Sequence, residues 1–90
     1  MFYIVSYDIP DDKTRNRVAR ILLDFGARVQ YSVFECSMDD KLLEKMTQKI
    51  SKVISDKDSV RIYPLCAKCE KGIKVFGRGE VSKDKDVYIL

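Results

Sequence analysis

The chain opens on an apolar, β-branched and aromatic run, Phe2-Tyr3-Ile4-Val5-Ser6-Tyr7, that stops on the carboxylate of Asp8. Such a run predicts a strand over residues 2–8. Pro10 opposes its continuation. Asp11 or Asp12 can cap a following helix, because a carboxylate accepts from the unpaired N–H groups of the first turn. Val18, Ile21, Leu22 and Phe25 recur at i, i+3, i+4 and i+7. That spacing predicts a helix over 13–25 with one buried stripe, ended by Gly26. Residues 28–38 are β-prone throughout, but their alternation breaks near Tyr31-Ser32. One kinked strand and a very tight hairpin both fit, and the lack of a glycine counts against the hairpin.

Asp39 and Asp40 precede a second helical stripe, Leu43, Met46, Ile50 and Val53, which predicts a helix over 40–54. Lys41, Lys45, Lys49 and Lys52 share one of its faces as a lysine ridge. The plainer reading of that ridge is the solvent side of a core helix. A strand follows over 59–65 and a shorter one over 73–76, before Gly77-Arg78-Gly79. After the charged stretch Lys83-Asp84-Lys85-Asp86, residues 87–90 are wholly apolar. Pairing with a second chain is a sensible destination for that tail. If 28–38 is a hairpin, the order reads βαββαβ. That is the α+β, ferredoxin-like plan, with two helices on one face of a four-stranded antiparallel sheet. The whole of 1–90 then forms one domain, with 66–90 as a C-terminal extension that completes a dimer.

Composition narrows the chemistry. Ninety residues suffice for one small core. No apolar stretch approaches a membrane span and no signal-peptide pattern precedes the first strand, so the expectation is a cytoplasmic chain with no membrane contact. Net charge is +3, but residues 13–28 carry Lys13, Arg15, Arg17, Arg20 and Arg28 against Asp24 alone. A local basic surface of this kind points to a polyanionic partner, or more plainly to a solvated helix face. The three cysteines, Cys36, Cys66 and Cys69, fit a reducing compartment. Cys66-Ala67-Lys68-Cys69 has C-x-x-C spacing, which leaves unremarkable thiols, a metal site shared across a dimer, or a redox pair. A zinc site wants four ligands, and a redox motif normally sits between a strand and a helix.

The chain has no histidine and therefore no imidazole base. It also has no Ser-His-Asp, Cys-His or phosphate-loop pattern. Carboxylates, cations and hydroxyls remain, a set that suits a hard divalent metal and a phosphodiester. Asp8 is the first place to look, although a solvent-facing strand terminus, or a turn residue bonding the backbone of 10–12, is the plainer reading. One carboxylate per chain is a thin site, and a two-fold dimer that brings both copies of Asp8 to its axis doubles it. Asp11 and Asp12 read as caps. Arg15 sits at the helix start near the end of the first strand, where a phosphate could meet it. The alternative is an ion pair with Asp8 or Asp12.

Tyr7-Asp8-Ile9, Arg15-Asn16-Arg17-Val18-Ala19 and Arg28-Val29-Gln30-Tyr31-Ser32-Val33-Phe34-Glu35-Cys36 together resemble the CRISPR-associated protein 2 family, over nearly the whole chain. The resemblance implies a ferredoxin-like protomer, a tight hairpin at Tyr31-Ser32, and a homodimer in which the C-terminal strand joins the partner's sheet. It implies a nuclease that depends on Mg²⁺ or Mn²⁺ and cuts single-stranded RNA or double-stranded DNA, with Asp8 from both chains as metal ligand and catalytic residue. Tyr7, Arg15, Arg17, Arg28 and Phe34 match other positions linked to activity, and Arg20 extends their basic face toward nucleic acid. The resemblance also implies a role in spacer acquisition beside the CRISPR-associated integrase. In that role the dimer could be a non-catalytic DNA-binding adaptor. A ferredoxin-like module that binds a small regulatory molecule is a third, more distant reading.

Overall fold

The computed structural model describes residues 1–79 and 81. Its elements run β1 (Phe2–Asp8), α1 (Asp12–Leu23), β2 (Ala27–Gln30), β3 (Val33–Ser37), α2 (Asp40–Ser51), β4 (Ser59–Leu65) and α3 (Ala67–Lys71). The strands form one sheet in the order β2-β3-β1-β4, with every neighbouring pair antiparallel. This is the ferredoxin-like arrangement. The first strand of the chain is central, and β4 lies at an edge. Pro64, which has no N–H to give, is tolerated there.

Alternation along β1 creates the core. Tyr3, Val5 and Tyr7 turn to one face and pack with Phe34 and Cys36 of β3, Val18, Ala19 and Leu22 of α1, and Met46 and Ile50 of α2. The other face carries Phe2, Ile4, Ser6 and Asp8, opposite Ser37, Glu35 and Val33 of β3 and Leu65, Tyr63, Arg61 and Ser59 of β4. Asp11 caps α1, accepting from the Thr14 N–H and hydroxyl, both at 2.9 Å. Asp39 caps α2 by accepting from the Leu42 N–H at 2.8 Å.

Residues 28–38 resolve as a hairpin turning at Tyr31-Ser32. Neither turn residue takes a positive φ, so the turn is not one of the primed types that a two-residue hairpin favours. The ladder shifts register between Arg28 and Gln30. All four residues of β2 are exposed, so burial prints no alternation on them.

Three expectations change. The two helices end at Leu23 and Ser51 rather than at 25 and 54, with Asp24 and Lys52 as their C-caps. Gly26 follows α1, but its φ is negative, and what it supplies is space. A Cβ there would lie 2.3 Å from the Glu35 carbonyl oxygen and 2.5 Å from Cys36 Sγ. Residues 73–76 form no strand with the described residues, because the chain after β4 turns into α3 instead. The expected strand at 87–90 lies outside the described residues.

Gly26→Ala should cost about 2–3 kcal/mol, since the clash is with β3 backbone as well as with a side chain. Urea unfolding measures this, and a loss under about 0.5 kcal/mol would contradict it. A second expectation concerns acid. The Asp11 pKa is lowered, chiefly by the Thr14 N–H, so its stabilising contribution is complete above about pH 4 and is lost as pH falls through its lower folded value. Asp11→Asn should therefore flatten the acid limb of a stability–pH profile and leave the neutral limb parallel to wild type.

Candidate metal position and nucleic-acid interface

Asp8 closes β1 opposite Ser59 of β4. It is exposed, and among the described residues no hydrogen bond or ion pair engages its carboxylate. The neighbouring acids are committed elsewhere. Asp11 is the helix cap, and Asp12 pairs with the Arg15 guanidinium. Asp8 is thus a solvent-facing strand terminus and not a turn residue, and its carboxylate stands free at the edge of the open sheet face.

The same face brings a cation that residue order alone conceals. Ser6 faces Arg61 across the β1–β4 ladder, so Asp8, Ser6, Ser59 and Arg61 share one patch. The Arg61 guanidinium donates to the Tyr63 hydroxyl at 3.4 Å, and that phenol holds its pKa up. The period of two in the strand over 59–65, laid against the first strand in antiparallel register, is the signal that could have found Arg61. Among the described residues no group of three or more histidine, cysteine or acidic side chains gathers to hold a metal. One chain thus offers a single free carboxylate with two serine hydroxyls beside it. That donor set fits Mg²⁺, which takes oxygen ligands and few of them from protein.

Tyr7, Arg28 and Phe34 gather on the opposite face. The Arg28 guanidinium lies over the Phe34 ring, 5.4 Å from its centroid, and donates to the Tyr7 hydroxyl at 3.1 Å. The Tyr7 and Phe34 rings are 6.3 Å apart. Tyr7 also fastens the hairpin, its peptide N–H donating to the Ser32 carbonyl at 3.1 Å and its hydroxyl to the Tyr31 carbonyl at 3.4 Å. Phe34 is fully buried and Tyr7 nearly so, so neither ring offers a face on which a base could stack. Both pack against Arg28, which is exposed.

Arg15 follows the ion-pair alternative. Besides Asp12 it donates to the Ile9 carbonyl at 3.1 Å, tying the helix start to the exit of β1. Its pKa is raised, first by Asp12 and further by Tyr31. Lys13, Arg17 and Arg20 are exposed on α1 and form no ion pair among the described residues. On α2 the ridge is less uniform than its spacing implies, because Lys49 lies over the Phe25 ring, 5.9 Å from its centroid. The site residues therefore divide between an open-face patch around Asp8 and a basic surface on the helix side. No helix among the described residues is long and apolar enough to cross a membrane.

Comparison with known proteins now adds to the geometry. The family model described as CRISPR associated protein Cas2 matches residues 1–73. The chain is 40% identical to the CRISPR-associated endoribonuclease Cas2 1 of Chloroflexus aurantiacus over 93 aligned positions, covering 100% of each. It is 39% identical to the CRISPR-associated endonuclease Cas2 2 of Thermus thermophilus, covering 98% of this chain and 94% of that one. Among solved structures it is similar to a chain of a partial Cas6-RT-Cas1–Cas2 complex, with a TM-score of 0.65, 32% identity, and coverage of 82% of this chain and 88% of the other.

Proposed function

The chain belongs to the CRISPR-associated Cas2 family, and on that premise we propose that it is a metal-dependent endonuclease that hydrolyses a phosphodiester of single-stranded RNA or double-stranded DNA during spacer acquisition. The observation that carries this reading is the free, exposed carboxylate of Asp8 at the end of β1. With no histidine in the chain, a carboxylate is its strongest base at neutral pH apart from groups that are normally protonated. Asp8 would hold Mg²⁺ or Mn²⁺, and when bound the ion supplies Lewis acidity toward a phosphoryl oxygen. Ser6 and Ser59 stand on the same patch by register, and Arg61 places positive charge there, where charge develops on the phosphate.

A single carboxylate leaves the site incomplete, and a second copy of the chain completes it. The open face supports this reading. Phe2 and Glu35 are buried on it, but Ile4, Val33 and Leu65 are only partly buried and Tyr63 is exposed. The outer edge of β4 pairs with no other described strand, which leaves room for the apolar run 87–90 of a partner. Two protomers packed through these faces set one Asp8 near the other.

A second reading has its own support. Lys13, Arg17, Arg20 and Arg28 are exposed on the helix side of the sheet, whereas Asp8 is on the other face, and one of the solved relatives lies in an assembly with Cas1. A non-catalytic dimer that holds duplex DNA on these cations and bridges the CRISPR-associated integrase needs no contribution from Asp8. Its binding weakens steeply with salt and shows little sequence preference.

The test assays the wild type and Asp8→Asn on both substrates, with Mg²⁺ and with a chelator. The nuclease reading predicts cleavage that needs the metal, falls at least about a hundredfold in Asp8→Asn, and leaves binding affinity within about twofold. Cleavage at the wild-type rate in the variant would remove Asp8 from the chemistry. Binding without cleavage in both proteins would favour the adaptor.

A further inference from the structure

The sequence left the C-x-x-C pair open because a redox motif normally sits between a strand and a helix, and a glycine soon follows the pair. The structure supplies both. β4 ends at Leu65, Cys66 is the N-cap residue of α3 with extended backbone (φ −68°, ψ 167°), and Cys69 stands three residues on, inside the helix. The Glu70 N–H closes the turn on the Cys66 carbonyl at 2.9 Å. Although Cys66 lies outside the helix, that bond closes one turn around it and holds the Cα atoms of Cys66 and Cys69 about 5–6 Å apart. That lies within the span a disulfide bridges. Both cysteines are exposed, and α3 packs against β4.

We propose that Cys66 and Cys69 form a thiol–disulfide exchange pair, in which Cys66 attacks and Cys69 resolves. The two thiols are not equivalent. The Cys69 N–H and thiol draw the Cys66 pKa down, and Cys66 in turn pushes the Cys69 pKa up. At neutral pH the larger thiolate fraction is on Cys66, which makes it the nucleophile. Cys36 offers the contrast. It is buried, and burial followed by Glu35 pushes its pKa up to about 11, so it stays a thiol.

The oxidant is a low-molecular-weight disulfide such as glutathione disulfide. The Cys66 thiolate attacks one of its sulfurs, the small disulfide's S–S bond breaks, and one thiolate leaves and takes up the proton that Cys66 released. Cys69 then gives up its proton and attacks Cys66 Sγ, expelling the second small thiol. Two protein thiols become one disulfide, and one small disulfide becomes two thiols. Nothing in this exchange draws on Asp8 or on the nuclease reading.

The test equilibrates the full chain in buffers of reduced and oxidised glutathione, quenches with acid, alkylates, and maps the products by mass spectrometry. The expected wild-type product has lost two hydrogens, with Cys66 joined to Cys69 and Cys36 recovered as a thiol. Cys69→Ser should accumulate a mixed disulfide at Cys66, and in the reduced wild type a substoichiometric pulse of iodoacetamide at pH 7 should label Cys66 ahead of Cys69. The proposal is overturned if the wild type gives glutathione adducts on both thiols without an internal bond, or cross-links between chains. Equal labelling of the two wild-type thiols in that pulse, or purified protein with zinc bound to both thiolates, would also overturn it.

Discussion

Successive side chains of a strand point to opposite faces, and in β1 that constraint separates Tyr7 from Asp8. Everything else about the molecule depends on this division. Tyr3, Val5 and Tyr7 turn inward and become the centre of the core, with Tyr7 also fastening the hairpin turn and taking the Arg28 hydrogen bond. Asp8, one residue later, is sent to the face the helices do not cover. A register slip of a single residue would bury the carboxylate and expose the tyrosine, which is why the central position of β1 between β3 and β4 matters for function as well as stability.

The division also explains how one small chain supports two readings. On the open face lie Asp8, Arg61 and two serines, chemistry for a phosphodiester that waits on a second carboxylate. On the helix side lie Arg28, held by Phe34 and Tyr7, and the cations of α1, a surface for phosphate charge. The two readings therefore draw on different side chains. Arg15 belongs to neither surface. Its bonds to Asp12 and the Ile9 carbonyl make it a brace for the turn between β1 and α1.

Much of this was legible before any coordinates. β1 announced itself by composition, α1 and α2 by their apolar stripes, and Asp11 and Asp39 by their place just before them. The hairpin was ambiguous because β2 is exposed along its length and turns without glycine, so only the family resemblance favoured it. Gly26 was legible as a glycine after a helix, but its requirement comes from the approach of β3, which residue order does not reveal. α3 is too short for periodicity to show, and this hid the setting of Cys66 and Cys69. Asp8 was found from its position alone, whereas Arg61 needed the register of β4 against β1. Phe34 and Tyr7 were expected among the residues that meet nucleic acid, and their burial turns them into supports for Arg28.

The central claim is that Asp8 is half of a site that two chains complete. Wild-type protein and Asp8→Asn, mixed in varying ratio at constant total concentration and allowed to exchange subunits, test it directly through the cleavage rate. If both carboxylates are needed, only dimers with two intact chains cut, and an equal mixture keeps about a quarter of the wild-type rate. A rate that falls in simple proportion to the wild-type fraction, leaving about half in that mixture, would contradict the account, because each chain would then carry a complete site of its own.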